Sequence, residues 1–180
     1  MKIYLIRHGE TDYNNRGLFY GSTDVSLNQT GIDQALALQE KLAFLPLDIP
    51  VYTSELVRTK ETAQLIFLVQ EKIALAGFNE KSFGLWEGMN ANQIEARYPV
   101  EWQRWLDNPF EATPPGAEPF FDFRLRVLTE FEKLLRQKRD VVIVGHLGVL
   151  RVIIQACYPG TTFWEADVPQ GDYRVIDTDL

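Results

Sequence analysis

The sequence predicts a three-layer α/β/α sandwich around a mostly parallel sheet, on three observations. Short β-branched runs alternate with amphipathic helical stretches, the order that builds a parallel sheet covered on both faces. Two of the runs, Lys2-Ile3-Tyr4-Leu5-Ile6-Arg7 and Asp140-Val141-Val142-Ile143-Val144-Gly145, are largely apolar and read as buried strands. Each ends at a histidine with a glycine close behind, His8-Gly9 and His146-Leu147-Gly148, and the chain has no other histidine. Ligands of open α/β sheets bind beyond the carboxyl ends of the strands, so neighbouring strands would aim both imidazoles into one crevice.

The elements follow in order. After the first strand comes a polar, glycine-punctuated stretch from Asp12 to Asn28, read as a loop. Ser26 or Asn28 can cap the helix that follows, in which Ile32, Ala35, Leu36 and Leu42 recur at helical spacing until Pro46. Ile49 to Thr53 reads as a second strand, with Pro50 tolerable only at its start or on an edge. Ser54-Glu55-Leu56-Val57-Arg58 turns into a second helix, placing Arg58 in a first turn, where free amides and the helix dipole favour an anion. Ile73 to Ala76 is a candidate third strand, opening onto a loop rich in carboxylates and aromatics from Gly77 to Gly88. Residues 90 to 109 predict short helices carrying Tyr98, Trp102 and Trp105, and Thr113-Pro114-Pro115-Gly116 a rigid turn. A long amphipathic helix runs from about Glu118 to Lys138, with Phe120, Phe123, Val127, Phe131, Leu134 and Leu135 on its apolar face. The second histidine strand leads into a helix from Val149 to Cys157, closed by Pro159-Gly160, and Tyr173 to Ile176 makes a last strand before a frayed tail, Asp177-Thr178-Asp179.

With 180 residues and 46% hydrophobic content, the chain suits a single domain spanning 1–180. No segment approaches the roughly 18 apolar residues of a membrane span, so a soluble cytoplasmic protein without a membrane partner is expected. The lone Cys157 excludes an internal disulfide framework and reads as a small buried apolar residue. A net charge of −7 argues against nucleic acid as a partner. It does not argue against a small anion: 11 of the 18 basic residues are arginines, whose forks pair with phosphate or carboxylate.

A histidine is nucleophilic only when neutral, and its ordinary pKa of ~6.5 lies close to working pH. Arg7 beside His8 favours the neutral ring by charge repulsion. Arg7 and Arg58 cannot act as bases and are candidate anion clamps. Other chemistries fit poorly. Two histidines exclude a three-histidine zinc site, there is no His-Glu-x-x-His helix and no Gly-x-x-x-x-Gly-Lys loop, and Cys157 has no arginine near enough for a cysteine-phosphatase loop. Neither a metal nor a cofactor is expected.

Arg7-His8-Gly9-Glu10-Thr11 with Asn14 resembles the signature of the histidine phosphatase superfamily, whose fold is phosphoglycerate mutase-like. Ser54-Glu55-Leu56 with Arg58, Thr62 and Ala63 is similar to its second motif. Glu80 before Phe83-Gly84 and Trp86-Glu87-Gly88 is similar to its third, and Gly145-His146 with Gly148-Val149 to its fourth. The resemblance implies a phosphomonoesterase in which His8 attacks phosphorus and becomes a phosphohistidine that water then hydrolyses. It implies that Arg7, Arg58 and His146 hold the phosphate, that Asn14 adds a donor, and that Tyr20, Gly21 and Leu147 contact substrate. Glu80 matches the acid that protonates the leaving oxygen, and a carboxyl group facing a phosphate dianion tends to hold its proton. Glu10 and Glu87 are rivals for that role; Glu10 reads as ordering the pocket and Glu87 as ordering the aromatic loop.

Within the superfamily, Leu18-Phe19-Tyr20-Gly21, Asn79-Glu80, and the tail Phe163-Trp164 to Pro169-Gln170-Gly171 look most like the α-ribazole phosphatases. That likeness implies α-ribazole 5′-phosphate, or the corresponding cobalamin phosphate, as the small-molecule partner. A broad-specificity, sugar-phosphate or fructose-bisphosphatase-like enzyme is the alternative, ahead of a mutase or a non-catalytic phosphopeptide-binding module. A lid within residues 89 to 139 and a homodimer are left open. Trp86, Trp102 and Trp105 are candidates to stack on a flat base, with core packing the alternative for at least two of them.

Overall fold

β1 (Lys2–Arg7) lies inside the sheet because its side chains are apolar in both directions: Ile3 and Leu5 enter one core, Tyr4 and Ile6 the other. The computed structural model describes residues 1–178. β2 (Val51–Thr53), β3 (Lys72–Ala74), β4 (Val141–Gly145) and β5 (Tyr173–Asp177) complete a five-stranded sheet ordered β3-β2-β4-β1-β5. The first four are parallel to their neighbours, and β5 runs antiparallel along β1.

Two layers of helices cover this sheet. α2 (Gln29–Lys41) and α3 (Val57–Ile66) bury Ala35, Leu38, Ala63 and Ile66 against Tyr4, Ile6, Val142 and Val144. α6 (Phe120–Leu135) and α7 (Leu147–Cys157) bury Phe123, Val127, Ile153 and Ile154 against Ile3, Leu5, Val141 and Ile143. All five residues of β4 are buried, so a slip of one residue would exchange its two faces; burial of each Val or Ile, about 1.5–3 kcal/mol, holds the register. A smaller cluster sits to one side, where α4 (Ala91–Arg97) and α5 (Pro99–Asp107) pack Ile94 and Trp102 around Trp86.

Several elements differ from the sequence reading. The stretch after Thr11 is not all loop: α1 (Asp12–Asn15) forms there, because Thr11 and Asn14 close a reciprocal capping box. Asn28, not Ser26, caps α2, accepting from Gly31 N. β3 ends at Ala74, and residues 76–78 turn as a 3₁₀ helix. α7 starts two residues earlier than its apolar periodicity suggests, directly at Leu147. The tail is not frayed where it is described: Asp177 pairs with Lys2 in β5, and Thr178 donates to Met1 O; Asp179 lies outside the described residues. Cys157 is half-buried at the margin of a core. Among the described residues, no helix is long and apolar enough to cross a membrane.

Candidate active site

The register of two strands creates the site. β1 and β4 are parallel neighbours with Arg7 opposite Gly145, so the next residue of each is a histidine, and His8 N donates to Gly145 O at 3.0 Å. From here the chain leaves toward opposite faces, after β1 to α2 and after β4 to α7, which opens a crevice at the strand ends. The two imidazoles meet there edge to face, 5.2 Å between ring centroids. They line a cleft of about 250 Å³ with Arg7, Asn14, Tyr20, Arg58, Glu80 and Leu147.

Hydrogen bonds fix both tautomers. His8 Nδ1 lies 2.7 Å from Gly9 O, and since a carbonyl only accepts, Nδ1 carries the proton and Nε2 keeps its lone pair. Burial, then the charges of Arg58 and Arg7, pull the His8 pKa down to about 3, against a smaller upward pull from the Gly9 bond, so the ring is neutral at working pH. His146 has the opposite tautomer. Its Nδ1 accepts from Arg58 Nε at 3.2 Å, and its Nε2–H therefore donates to Ser54 Oγ at 2.8 Å. Burial and the charge of Arg58 hold this ring well below the ordinary histidine range.

Arg58 is fully buried, yet its bonds go to neutral acceptors: His146, Thr23 O at 2.9 Å and Gly21 O at 2.7 Å. A guanidinium has five N–H donors, so two remain for a ligand. Arg7 Nε is buried without a hydrogen-bond partner, and its NH1 reaches only Val168 O at 3.5 Å. Burial depresses both arginines, so two costly cations converge on one cleft, a situation that a bound dianion relieves. α3 contributes less than its position suggested, because Asp24 Oδ1 already takes the Val57 amide at its N-terminus. Asn14 Oδ1 accepts from Thr11 N, Thr11 Oγ1, Tyr20 OH and Gln170 Nε2, which leaves its amide N–H donors for the cleft.

Tyr20 lies on the Arg58 guanidinium, 4.7 Å from ring centroid to Cζ. Gly21 does not line the cleft. Its place is behind Arg58, and a Cβ there would collide with Lys81 O.

Glu80 arrives from the opposite wall. Its Oε1 accepts from Lys81 N at 2.9 Å and its Oε2 from Gly148 N at 3.0 Å, in the first turn of α7. Gly148 is the residue that allows this approach, because a Cβ there would press against the carboxylate. Arg126 of α6 holds the segment behind Glu80: it forks onto Glu118 at 2.6 and 2.8 Å and donates to Gly77 O, Asn79 O and Glu80 O. The two rival carboxylates are occupied elsewhere. Glu10 Oε1 accepts from Asn28 Nδ2, at the cap of α2. Glu87 ties residues 22–23 to residues 82–83; burial pushes its carboxyl up, but bonds from Thr23, Phe83 and Ser22 outweigh that and hold it at about 2.

Three contributors escaped the sequence reading as site residues. Gln170 donates to His8 O, Gly9 O and Asn14 Oδ1, locking the nucleophile-like loop from the far end of the chain. Thr62 accepts from Gly9 N, and Arg126 acts through backbone carbonyls. Gln170 and Thr62 stood inside recognisable motifs; nothing local marks Arg126. Of the tryptophans, Trp86 and Trp102 are buried in the side cluster, while Trp105 borders a second cavity.

Residues 3–179 match the model of the histidine phosphatase superfamily (branch 1). An adenosylcobalamin/α-ribazole phosphatase of Salmonella typhimurium is 32% identical over 98% of this chain and 90% of its own length. Phosphoserine phosphatase 1 of Hydrogenobacter thermophilus is 29% identical over 98% and 86%. The crystal structure of the α-ribazole phosphatase from Shigella flexneri superposes with a TM-score of 0.91 at 30% identity, covering 98% of this chain and 90% of that one. Motifs, paired histidines and relatives lead to one conclusion: the chain belongs to the histidine phosphatase superfamily.

Proposed function

We propose that the protein is a metal-independent phosphomonoesterase, acting on α-ribazole 5′-phosphate or the corresponding cobalamin phosphate through a phosphohistidine. The observation that carries the reaction is the fixed tautomer of His8, which leaves Nε2 neutral with its lone pair at a cleft lined by the buried Arg58 and the half-buried Arg7. In the first half, Nε2 forms a bond to phosphorus as the ester P–O bond breaks, and the departing alkoxide takes a proton from Glu80. In the second, the Glu80 carboxylate removes a proton from water, whose oxygen attacks the phosphohistidine; free His8 and inorganic phosphate result. Arg7, the spare donors of Arg58 and the Asn14 amide stabilise the equatorial oxygens during both in-line transfers. The 32% identity to the Salmonella adenosylcobalamin/α-ribazole phosphatase, in an alignment covering 98% of the chain, supports the substrate.

The test is a panel of phosphomonoesters assayed in excess chelator, including α-ribazole 5′-phosphate, phosphoserine and a fructose bisphosphate. The wild type should turn over the panel with α-ribazole 5′-phosphate foremost in kcat/KM, and His8→Ala should lose at least about 10³-fold in kcat. Equal kcat/KM across the panel would remove the cobalamin-related substrate, and an active His8→Ala enzyme would remove the nucleophile.

A further inference from the structure

A second cavity of about 220 Å³ opens beside the phosphate cleft and shares Glu80, Phe83 and Leu147 with it. The reactive end of a substrate and this cavity therefore meet at one carboxylate. Aromatic side chains from three segments enclose it: Trp105 of α5, Phe110 beyond it, Phe120 and Phe123 of α6, and Phe163 and Trp164 of the loop before β5. Their rings are already in contact, with Phe110 to Phe120 at 4.7 Å and Phe163 to Trp164 at 5.2 Å between centroids. Trp164 and Phe110 remain 53% and 39% exposed, which packing of the core does not require.

Two cations line this cavity and not the phosphate cleft: Lys81, whose Nζ lies 4.9 Å over the Phe83 ring and donates to Ser82 O at 3.4 Å, and Arg151. Arg151 of α7 donates Nε–H to Ala166 O at 2.9 Å and rests its guanidinium on Phe163 and Trp164, 5.3 and 5.4 Å from their centroids. None of its terminal N–H groups bonds to protein among the described residues, and stacking holds them flat against the aromatic wall. Together, the two cavities reach the ~300–1,000 Å³ scale of small-molecule sites, with a polar end for phosphate and a largely apolar end bordered by Arg151 and Lys81.

We propose that the aromatic cavity is the leaving-group subsite, and that it selects esters whose alcohol bears a flat, apolar, fused-ring group, with Arg151 donating to an oxygen near the ester. This inference rests on the phosphatase reading and deepens it. Trp105, Phe110 and Trp164 supply stacking faces, which are tolerant of ring identity but not of a small polar alcohol. Discrimination arises at the leaving group because both ester classes present the same phosphoryl group to His8.

The experiment compares two primary-alcohol esters of similar intrinsic reactivity, naphthylethyl phosphate and ethyl phosphate. The wild type should favour the naphthyl ester by about 10–100-fold in kcat/KM. In the double variant Phe110→Ala/Trp164→Ala that ratio should fall about tenfold; Arg151→Met should leave it unmoved and should instead cost about tenfold in kcat/KM for a naphthylethyl ester carrying a hydroxyl beside the ester carbon, relative to the plain naphthylethyl ester. As a measurement independent of variants, naphthylethanol should inhibit the wild type competitively and change its tryptophan fluorescence. Turnover of both esters at equal efficiency, or a ratio unmoved in the double variant, overturns the subsite and leaves the phosphatase reading intact. Turnover of neither ester overturns the phosphatase reading, and the subsite with it.

Discussion

At the scale of single residues, the direction of each hydrogen bond matters as much as its length. Arg58 can only donate, so its Nε–H makes His146 Nδ1 an acceptor and Nε2 a donor. Ser54 Oγ receives that proton at 2.8 Å and also accepts from Leu56 N, which turns its own hydroxyl toward Thr59 Oγ1 at 2.8 Å. Thr59 in turn donates to Leu56 O at 2.9 Å. A one-way chain thus holds the imidazole that positions Arg58. Ser54→Ala leaves the fully buried His146 Nε2–H without its acceptor, at a cost of about 1–3 kcal/mol. Urea unfolding should record that loss, and kcat should drop about tenfold as Arg58 loses its alignment. Unchanged values for both would show that the chain carries no weight.

Between elements, Arg126 links α6 to the segment that presents Glu80. It donates to three carbonyls within residues 77–80, those of Gly77, Asn79 and Glu80, and its bidentate pair with Glu118 prevents it from swinging away. Arg126→Met removes these donors while keeping much of the aliphatic stem. Thermal unfolding should report a loss of about 1–3 kcal/mol. Because the change lies behind Glu80 and not in the phosphate cleft, kcat should fall more than KM rises; an effect on KM alone would refute the linkage. The sequence contains no hint of this contact, since Arg126 and Glu80 are 46 positions apart. By contrast, the helix bearing Arg58 and the helix that follows His146 were readable, because turn residues, glycines and 3.6-residue periodicity are local signals.

Over the whole molecule, two buried neutral histidines and one low carboxylate set the response to acid. His8 titrates at about 3 in the folded protein and near ~6.5 when unfolded, so between these values only the unfolded chain binds the proton. Stability from this source is complete above ~6.5 and declines as pH falls toward 3; His146, also depressed, acts in the same direction. Glu87, at about 2 in the folded state, adds a loss that starts only below ~4.5. Melting temperature should therefore start to fall below about pH 6.5, well before carboxylates titrate. The two histidine ring resonances, conveniently the only ones, should not move between about pH 8 and 5 in the folded protein. A histidine titrating near ~6.5 by NMR would overturn this account.

The α/β class, the strands delivering His8 and His146, the helix presenting Arg58 and the likeness to histidine phosphatases were all determined by sequence alone. Each is written in short-range patterns of apolar period, caps and turn residues. Whether the two histidine strands are neighbours was not, because strand order depends on which helix covers which face of the sheet. Gln170 reaching back to His8, Arg126 bracing Glu80, and an aromatic cavity assembled from three separated segments also required the folded chain. The physical reason is common to them: these contacts bridge positions tens to more than a hundred residues apart, and only the burial of both sheet faces decides which of them coincide.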